Sequence, residues 1–374
     1  MSPQLLRLLR ETSRSFYLTL RVLPPAVRPQ IGLAYLLARA TDTIADTELV
    51  PVDERLAVLA ALRGRIVDEH RDPLDFSRLA ASQTGKGSDG ERRLLQRVEA
   101  AVELLAQAGS ADQALIRDVL ATITSGQQLD LRRFCGVSGE PASAVPPVLE
   151  TVALPTPGET APPPIVPTPP VIAPAAASGA VIALATDEEL DDYTYRVAGC
   201  VGEFWTKLTR ARVFPGAPID DARFLSDGIR FGKGLQLVNI LRDLPKDLRA
   251  GRCYIPASLL ARAGLVPRDL LDPANGPRLR PLYLELLDRA QSDLEAGWRY
   301  TNTIPRGQIR LRLACAWPVL IGVKTIARLC TADVLDARKR VKVSRSEVEW
   351  LLVTSVMKLP FRGAWERQFA DHSG

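Results

Sequence analysis

Two pairs of aspartates, each separated by four residues, are the side chains of this chain best suited to chemistry. The first pair is Asp42 and Asp46, and the second is Asp243 and Asp247. Residues four apart share one face of a helix, so each pair directs two carboxylates the same way. Both pairs lie in apolar helical segments, where an unpaired acid is costly to bury. Two such pairs facing each other would hold Mg²⁺ against a diphosphate.

Polar residues extend the first pair along its helix face. Tyr35 and Arg39 precede Asp42 and Asp46 at spacings of four, three and four residues. A phenol, a guanidinium and two carboxylates make a polar stripe on an otherwise apolar helix. Taken alone, this stretch is explained equally well by an ion pair between Arg39 and Asp42 on a solvated face.

The second pair is extended in the same way by a small residue and two amides. Pro245 lies between the two acids and predicts an end or a kink of the helix there. A surface face is the alternative interpretation, and the apolar residues that surround the stripe disfavour it. The polar positions of this stripe and the two arginines that flank it are Gly232, Gln236, Asn239, Asp243, Asp247, Arg242 and Arg252.

Composition limits the classes of function. The chain has 374 residues, 46% of them hydrophobic, which allows a large core in one to three domains. The 48 basic and 43 acidic residues are too balanced for a nucleic-acid-binding arm, but the net charge of +5 suits a phosphorylated substrate or an anionic membrane. Two histidines disfavour a histidine metal centre or a Ser-His-Asp triad. Five widely spaced cysteines indicate a reduced, cytoplasmic protein.

Helical periodicity predicts an all-α fold. Apolar residues recur at three- and four-residue spacing in 53–69, 91–107, 112–129, 281–298 and 345–358. We expect no signal peptide and no membrane-spanning helix, because the N-terminus is charged early and no apolar run reaches ~18 residues.

One segment, residues 139–185, breaks the helical pattern. Twelve prolines fall within 141–174, so the segment predicts an extended, disordered insert in a single domain covering 1–374. A linker between two domains is disfavoured, because the candidate site residues lie on both sides of it and one cavity needs both. The insert is interpreted either as a mobile flap at the cavity mouth or as a spacer without a role.

Two further motifs carry polar residues at the start of helical runs. Thr12-Ser13-Arg14-Ser15-Phe16 offers hydroxyls and an arginine for phosphate oxygens, although a plain helix cap explains it as well. Tyr193 opens Tyr-Thr-Tyr-Arg-Val-Ala-Gly, where Gly199 and Gly202 indicate close packing or room for a ligand. A core tyrosine is the default alternative for Tyr193.

Four motifs in order resemble the squalene/phytoene synthase family of head-to-head prenyl synthases. They are Thr-Ser-Arg-Ser-Phe at 12–16, Asp-Thr-Ile-Ala-Asp at 42–46, Tyr-Thr-Tyr-Arg-Val-Ala-Gly at 193–199 and Gly-Leu-Gln-Leu-Val-Asn-Ile-Leu-Arg-Asp at 234–243. Arg-Val-Lys-Val-Ser-Arg at 340–345 also resembles the family's C-terminal segment. The resemblance covers about residues 10–138 and 187–355 and implies an isoprenoid synthase-type helical bundle around a central cavity.

The resemblance also implies roles for individual residues. Asp42, Asp46, Asp243 and Asp247 would hold several Mg²⁺ ions, with Asn239 as a further ligand, and Tyr193 would take part in proton removal. Arginines and serines would grip diphosphate oxygens, amides and a phenol would lie near the reacting carbons, and small or apolar residues would line the hydrocarbon channel. The positions that would bind diphosphate are Ser13, Ser15, Arg39, Arg242 and Arg252. The polar positions near the reacting carbons are Tyr35, Gln236 and Asn239, and the positions lining the channel are Phe16, Val197 and Gly202.

Within the family, Asp-Thr-x-x-Asp resembles squalene synthases more than the Asp-Asp-x-x-Asp of phytoene and dehydrosqualene synthases. We therefore expect a transferase of sterol or hopanoid biosynthesis that joins two farnesyl diphosphates through presqualene diphosphate and reduces the product to squalene with NADPH. Presqualene diphosphate, dehydrosqualene or phytoene as the end product is the alternative. Outside enzymes, the alternative is a prenyl-diphosphate-binding or scaffold protein. The apolar product predicts a cytoplasmic protein with peripheral membrane contact.

Overall fold

The structure is a computed structural model, and it confirms the all-α prediction. It describes residue 9 and residues 16–47, 49–83, 88–135, 180–336, 338–339 and 341–373, with the backbone alone at 16–18, 88 and 373. The helices before the proline-rich region are α1 Phe16–Val22, α2 Arg28–Ala45, α3 Val52–Ile66, α4 Ser77–Ser82, α5 Ser88–Leu95, α6 Val98–Ala106 and α7 Ser110–Phe134.

The second half of the chain begins with a short strand and is otherwise helical. Side-chain caps at Thr186, Asp220 and Ser344 fix the starts of three helices by accepting hydrogen bonds from free backbone N–H groups. The elements are β1 Ile182–Ala183, α8 Asp187–Thr194, a π-helical turn Tyr195–Gly199, α9 Cys200–Arg212, α10 Asp221–Arg249, β2 Arg252–Cys253, α11 Ala257–Arg262, α12 Gly276–Thr303, α13 Ile309–Leu329, α14 Arg345–Lys358 and α15 Arg362–Ser373, with 3₁₀ turns at Pro267–Leu271 and Pro273–Asn275.

Two buried clusters form the core, and α9 and α10 join them. One cluster is built by α2, α3, α6, α7 and α9, and includes the fully buried Leu36 and Leu37. The other is built by α10, α12 and α13, and includes Tyr283 and Val319. The helix α10 packs along α12 on one side and against α9 on the other. This packing brings both predicted aspartate pairs onto helices that border the junction of the two clusters.

Glycines allow α9 and the π turn to approach α10 closely. A Cβ atom at Gly202 would lie 1.9 Å from the carbonyl oxygen of Gly228, and one at Gly232 would lie 2.2 Å from that of Ala198. Backbone therefore contacts backbone at both positions, which no larger residue permits. Close packing, the first of the two interpretations of the motif around Gly202, accounts for this glycine.

The predicted C-terminal boundary of the insert, residue 185, is wrong. Residues 180–185 belong to the fold, because β1 pairs in parallel with β2 and the backbone N–H of Leu184 donates to the carbonyl of Cys253 at 3.1 Å. Leu184 is also fully buried. These contacts hold the chain where composition alone predicts disorder. The rest of the predicted insert, 139–179, lies outside the described residues.

Of the two outcomes predicted at Pro245, an end or a kink, the end is wrong, since α10 continues to Arg249. Proline has no N–H, so it leaves the carbonyl of Leu241, one turn earlier, without its helical donor. The buried hydroxyl of Tyr283 donates to that carbonyl at 2.9 Å. The tyrosine therefore replaces the missing hydrogen bond and allows the helix to continue through the second aspartate pair.

No helix in the described part of the chain combines the length and the apolarity needed to cross a bilayer.

Candidate active site

The first aspartate pair lies at the end of α2. Asp42 is on its last turn, and Asp46 is the residue that caps it. The amide of Gln127, on α7, donates to the Oδ1 atom of Asp42 at 2.5 Å. Burial raises the pKa of Asp42 to about 6, against the charge of Arg39, while the neighbouring Asp46 raises it further. The Asp42 side chain is 46% exposed, so solvent still reaches this carboxylate.

The second pair lies on the last two turns of α10. Arg242 donates to both carboxylate oxygens of its neighbour Asp243, at 3.1 and 2.6 Å. Asp247 has Arg252, from β2, at 3.8 Å. Burial raises the pKa of Asp247, and the charges of Arg252 and Lys246 lower it. Each acid of this pair therefore has a basic neighbour within ion-pair distance.

Asp46 of the first pair and Asp247 of the second lie near each other. The charge of Asp46 raises the pKa of Asp247, so the two carboxylates are near enough to repel. Burial raises the pKa of Asp46 itself, while Arg39, Arg252 and Lys246 lower it. Arg252 and Lys246 thus lie between acids of different helices. That the two pairs together hold Mg²⁺ stays a prediction.

The predicted diphosphate-binding arginines border the same acids. Arg39 reaches Glu91 on α5 at 2.5 Å and lies 3.8 Å from Asp42. Although burial lowers the pKa of Arg252, the surrounding Tyr254, Asp247, Asp130 and Asp46 raise it above the usual value. The Nε atom of Arg252 is buried without a hydrogen-bond partner in the described chain. The guanidinium therefore has one buried donor to which no described residue offers an acceptor.

Tyr193, on α8, belongs to a buried group of three side chains. Its ring stacks on that of Tyr254, with centroids 4.7 Å apart, and the Tyr254 hydroxyl donates to the Oδ2 atom of Asp130 at 2.6 Å. Burial raises the pKa of Tyr193 well above its usual value, the charge of Asp130 adds to the rise, and hydrogen bonding with Tyr254 opposes it. The two phenols and the carboxylate form a chain of proton-carrying groups.

Asp130, on α7, is the acid of this group. Burial raises its pKa to about 6, against the hydrogen bond from Tyr254 and the charges of Arg252 and Arg133. Its second oxygen, Oδ1, is buried without a hydrogen-bond partner among the described residues. An acid in such a place exchanges a proton near neutral pH.

The other predicted residues divide into three groups. Ser13 and Ser15 lie outside the described residues, and Phe16 begins α1 with its side chain outside the description. Tyr35 lies two turns before Asp42 on α2, and burial raises its pKa. The remaining predicted residues, on the π turn, α9 and α10, are Val197, Gly202, Gln236 and Asn239.

Of these, Gln236 and Asn239 are half-buried, on the α10 face that carries Asp243 and Asp247. Val197 packs against α7, because its Cγ1 atom lies 3.3 Å from where a Cβ atom of Gly126 would be. Gly202 contacts α10, as described above. The roles of these four residues toward a substrate stay predictions.

Sequence reasoning missed five residues of the site. Gln127 and Asp130 lie three residues apart on α7, so they share one face of that helix. Because polar residues interrupt its apolar pattern there, the sequence alone could have indicated both as site residues. Lys246 stands inside the second motif itself. No local pattern marks the remaining two, Glu91 and Tyr254, because distant parts of the chain bring them to the site.

The site fits Mg²⁺ when a substrate supplies oxygens. In the described residues no three acidic, histidine or cysteine side chains form a complete metal cage. Mg²⁺ is commonly bound through one or two carboxylates together with substrate phosphates. Pairs of mutually repelling carboxylates, with arginine donors beside them, match that mode of binding.

The fold and the site define a helical prenyl synthase-type enzyme. The chain matches the squalene/phytoene synthase family over residues 9–347 and belongs to that family. Membership identifies an enzyme class of isoprenoid biosynthesis. The family includes more than one reaction, so membership leaves the product open.

Three comparisons show the range of similarity. The chain is 40% identical over 106 residues to a bifunctional lycopene cyclase/phytoene synthase of Gibberella fujikuroi, a match covering 28% of this chain and 18% of the relative. It is 37% identical over 138 residues to a 15-cis-phytoene synthase of Synechocystis, covering 36% and 39%. The structure of TcSQS with a bound ligand superimposes with a TM-score of 0.66 and 18% identity, covering 98% of both chains. The curated relatives are thus matched over less than half of their length, and the structural likeness concerns the fold.

Proposed function

We propose that this protein joins two molecules of farnesyl diphosphate head to head, through presqualene diphosphate, and reduces the product to squalene with NADPH. The observation that carries the proposal is that Asp46 of the first pair and Asp247 of the second lie close enough to Arg252 and Lys246 for those charges to act on both acids. Family membership supports the class of reaction. The Asp-Thr-x-x-Asp motif favours squalene among the products.

The two pairs would hold Mg²⁺ at Asp42, Asp46, Asp243 and Asp247, with Asn239 as a neighbouring amide ligand. Bound Mg²⁺ supplies positive charge that offsets the charge of a leaving diphosphate. The acids are suited to this task because repulsion and burial raise the pKa of Asp42, Asp46 and Asp247, and nearby positive charge relieves both effects.

The basic residues would bind the diphosphate oxygens directly. Arg252 lies 3.8 Å from Asp247, and Lys246 is exposed beside the same acids. Arg242 and Arg39 already contact Asp243 and Glu91, so they would share donors between an acid and the diphosphate. Fixed donors aimed at the departing group stabilise the charge that develops on it, which makes ionisation to an allylic cation feasible.

The group formed by Tyr193, Tyr254 and Asp130 would remove the proton that is lost when the cyclopropane ring closes. A phenol accepts a proton only if it passes its own proton onward. Tyr193 would take the proton from the substrate and release its own phenolic proton to Asp130, whose pKa is lowered by hydrogen bonding with Tyr193, while the Tyr254 hydroxyl keeps its hydrogen bond to Asp130 Oδ2. The carboxylate then becomes neutral, as its raised pKa favours.

Condensation without the reductive step is the second candidate. The curated relatives at 40% and 37% identity carry phytoene synthase names, and this observation favours a carotenoid precursor. Dehydrosqualene from farnesyl diphosphate, or phytoene from geranylgeranyl diphosphate, would then be the product. The same aspartates, arginines and proton-accepting group serve both candidates.

A product assay with Mg²⁺ tests the proposal. The full chain is supplied with farnesyl or geranylgeranyl diphosphate, with and without NADPH, and the products are identified by mass spectrometry. Squalene that forms from farnesyl diphosphate only with NADPH is the expected result. Dehydrosqualene or phytoene without NADPH would establish the second candidate, and presqualene diphosphate alone would limit the enzyme to the first step. No turnover of either substrate would overturn both candidates.

A further inference from the structure

The outward face of α14 carries an unusual concentration of exposed apolar side chains. Half of the large hydrophobic residues that are exposed in the described chain lie within residues 350–361, each between 51% and 67% exposed. Isolated exposed hydrophobic residues are ordinary, whereas a contiguous apolar patch marks a surface that binds something. We call this surface the α14 face, and its members are Trp350, Val353, Val356, Met357 and Phe361.

The helix that carries these exposed side chains is fixed by contacts at its start and along its inner face. Ser344 and Glu347 form a capping box at the start of α14, and Arg328 on α13 reaches both carboxylate oxygens of Glu347 at 2.6 Å. On the inner face Leu351 is fully buried, and the indole of Trp317 donates to the hydroxyl of Ser355 at 2.9 Å. The helix thus has one apolar face in the core, and a second one is held toward solvent.

Basic residues flank the α14 face at both ends. Lys342 and Arg345 precede it, and Arg362 and Arg367 follow it. Three of the four acids within 342–371 are ion-paired inside the protein: Glu347 with Arg328 and Lys324, Glu366 with Arg362, and Asp371 with Lys358. The fourth, Glu349, is exposed beside Trp350, so the positive charge at the two ends comes mainly from Lys342, Arg345 and Arg367. An apolar strip with tryptophan and phenylalanine, bordered by arginine and lysine, matches the composition of helices that lie in a lipid interface.

We propose that the α14 face binds the surface of an anionic lipid bilayer. The 14 residues of α14 span only about 21 Å at 1.5 Å per residue, too short for the ~30 Å core of a bilayer, so the helix lies in the interface plane. A second copy of the chain fits the face less well, because a self-complementary contact would bring like positive flanks together. The inference does not depend on which prenyl diphosphate the enzyme uses.

Vesicle sedimentation tests this surface directly. The full chain is mixed with vesicles of phosphatidylcholine alone, or of phosphatidylcholine with phosphatidylglycerol, at low salt. The test variant is Val353→Glu/Met357→Glu. The control is Val266→Glu/Leu271→Glu, which makes the same change at two exposed apolar residues outside α13, α14 and α15. Because both sets of side chains are exposed, neither variant disturbs the core, and circular dichroism checks this.

We expect the wild type and the control to bind the anionic vesicles, and the test variant to bind them about tenfold or more weakly. Anionic vesicles should also shift the tryptophan emission of the wild type, and Trp350→Phe should remove that shift. Equal sedimentation of wild type and test variant, or no binding of wild type to anionic vesicles, would overturn the proposal. So would a wild-type dimer that the test variant dissolves in light scattering, since a second copy would then cover the face.

Discussion

The hydroxyl of Tyr283 on α12 donates a hydrogen bond of 2.9 Å to the main-chain carbonyl of Leu241 on α10. Proline at position 245 removes the N–H that would otherwise bond this carbonyl. Tyr283 is fully buried, so no water can take its place. The side chain of Tyr283 on α12 therefore supplies the hydrogen bond that the backbone of α10 lacks, next to Asp243 and Asp247.

Replacing Tyr283 with phenylalanine should destabilise the protein by about 1–3 kcal/mol, because the Leu241 carbonyl would be buried without a partner. The free energy of unfolding in urea measures this loss. Adding Pro245→Ala restores an N–H at position 245, so Tyr283→Phe should cost much less in that background.

Tyr300→Phe provides the control for this double substitution. Tyr300 is as buried as Tyr283, but its hydroxyl interacts with the side chain of Thr206 instead of with a backbone carbonyl beside a proline. Pro245→Ala should not change the cost of Tyr300→Phe. If Tyr283→Phe costs as much with alanine at 245 as with proline, the tyrosine does not compensate for the proline.

Patterns within short stretches of the sequence were enough to predict much of this fold and part of the candidate site. Helical periodicity predicted α3, α7 and α12, because each buries apolar residues at regular spacing. It also predicted α14, although Leu351 is the one apolar residue that this helix buries fully. The four-residue spacing predicted that Asp42 and Asp46 act together, because helix geometry fixes that neighbourhood. Both the helices and the closeness of these two aspartates could be predicted, because each depends on residues within one or two turns of the same helix.

Contacts between distant segments were beyond such reasoning. Tyr254 meets Asp130 across 124 positions, and β1 is held by pairing with β2 beyond α10. The sequence around Pro245 favours a break in the helix, and only the partner on α12 reverses that preference. Each of these features depends on which helices lie side by side, and periodicity does not determine that.

The close approach of α9 and α10 should not tolerate a methyl group. In Gly202→Ala the new Cβ would meet the Gly228 carbonyl at 1.9 Å, and backbone cannot move aside as a flexible side chain can. We expect a loss of about 1–3 kcal/mol or more, seen as a lower melting temperature. Gly216→Ala is the matched control, because no atom lies within 4 Å of its Cβ position. Equal melting temperatures for the two variants would contradict this packing.

Removing one acid of the second pair should abolish most turnover. Asp247→Asn keeps the size of the side chain but removes a charge that faces Asp46 and Arg252, so binding of Mg²⁺ and diphosphate should weaken. We expect kcat to fall about 10²–10³-fold, measured with farnesyl diphosphate over a range of Mg²⁺ concentrations. Asp221→Asn is the control on the same helix, where the acid is exposed and paired with Arg210. Similar losses in both variants would show that the effect is not specific to the pair.

Asp130 should give the enzyme a pH dependence that an asparagine lacks. Its pKa is raised to about 6 from an ordinary value of 3.8, so the carboxylate can accept the proton passed on from Tyr193 only above about pH 6. Activity at saturating Mg²⁺ should therefore fall as the pH drops through 6. In Asp130→Asn the rate should be lower by about 10²–10⁴-fold, the usual contribution of a general base, and the acid limb should disappear.

Stability supplies an independent readout of the same group. The folded protein retains a proton on Asp130 between about pH 4 and 6 that the unfolded chain releases, so this carboxyl stabilises the fold below pH 4 and loses that contribution as the pH rises through 6. The unfolding free energy of the wild type, relative to Asp130→Asn, should therefore decrease over that interval. A variant whose activity and stability follow the wild-type pH profiles would exclude Asp130 as the proton acceptor. In that case the proton must leave Tyr193 by another route.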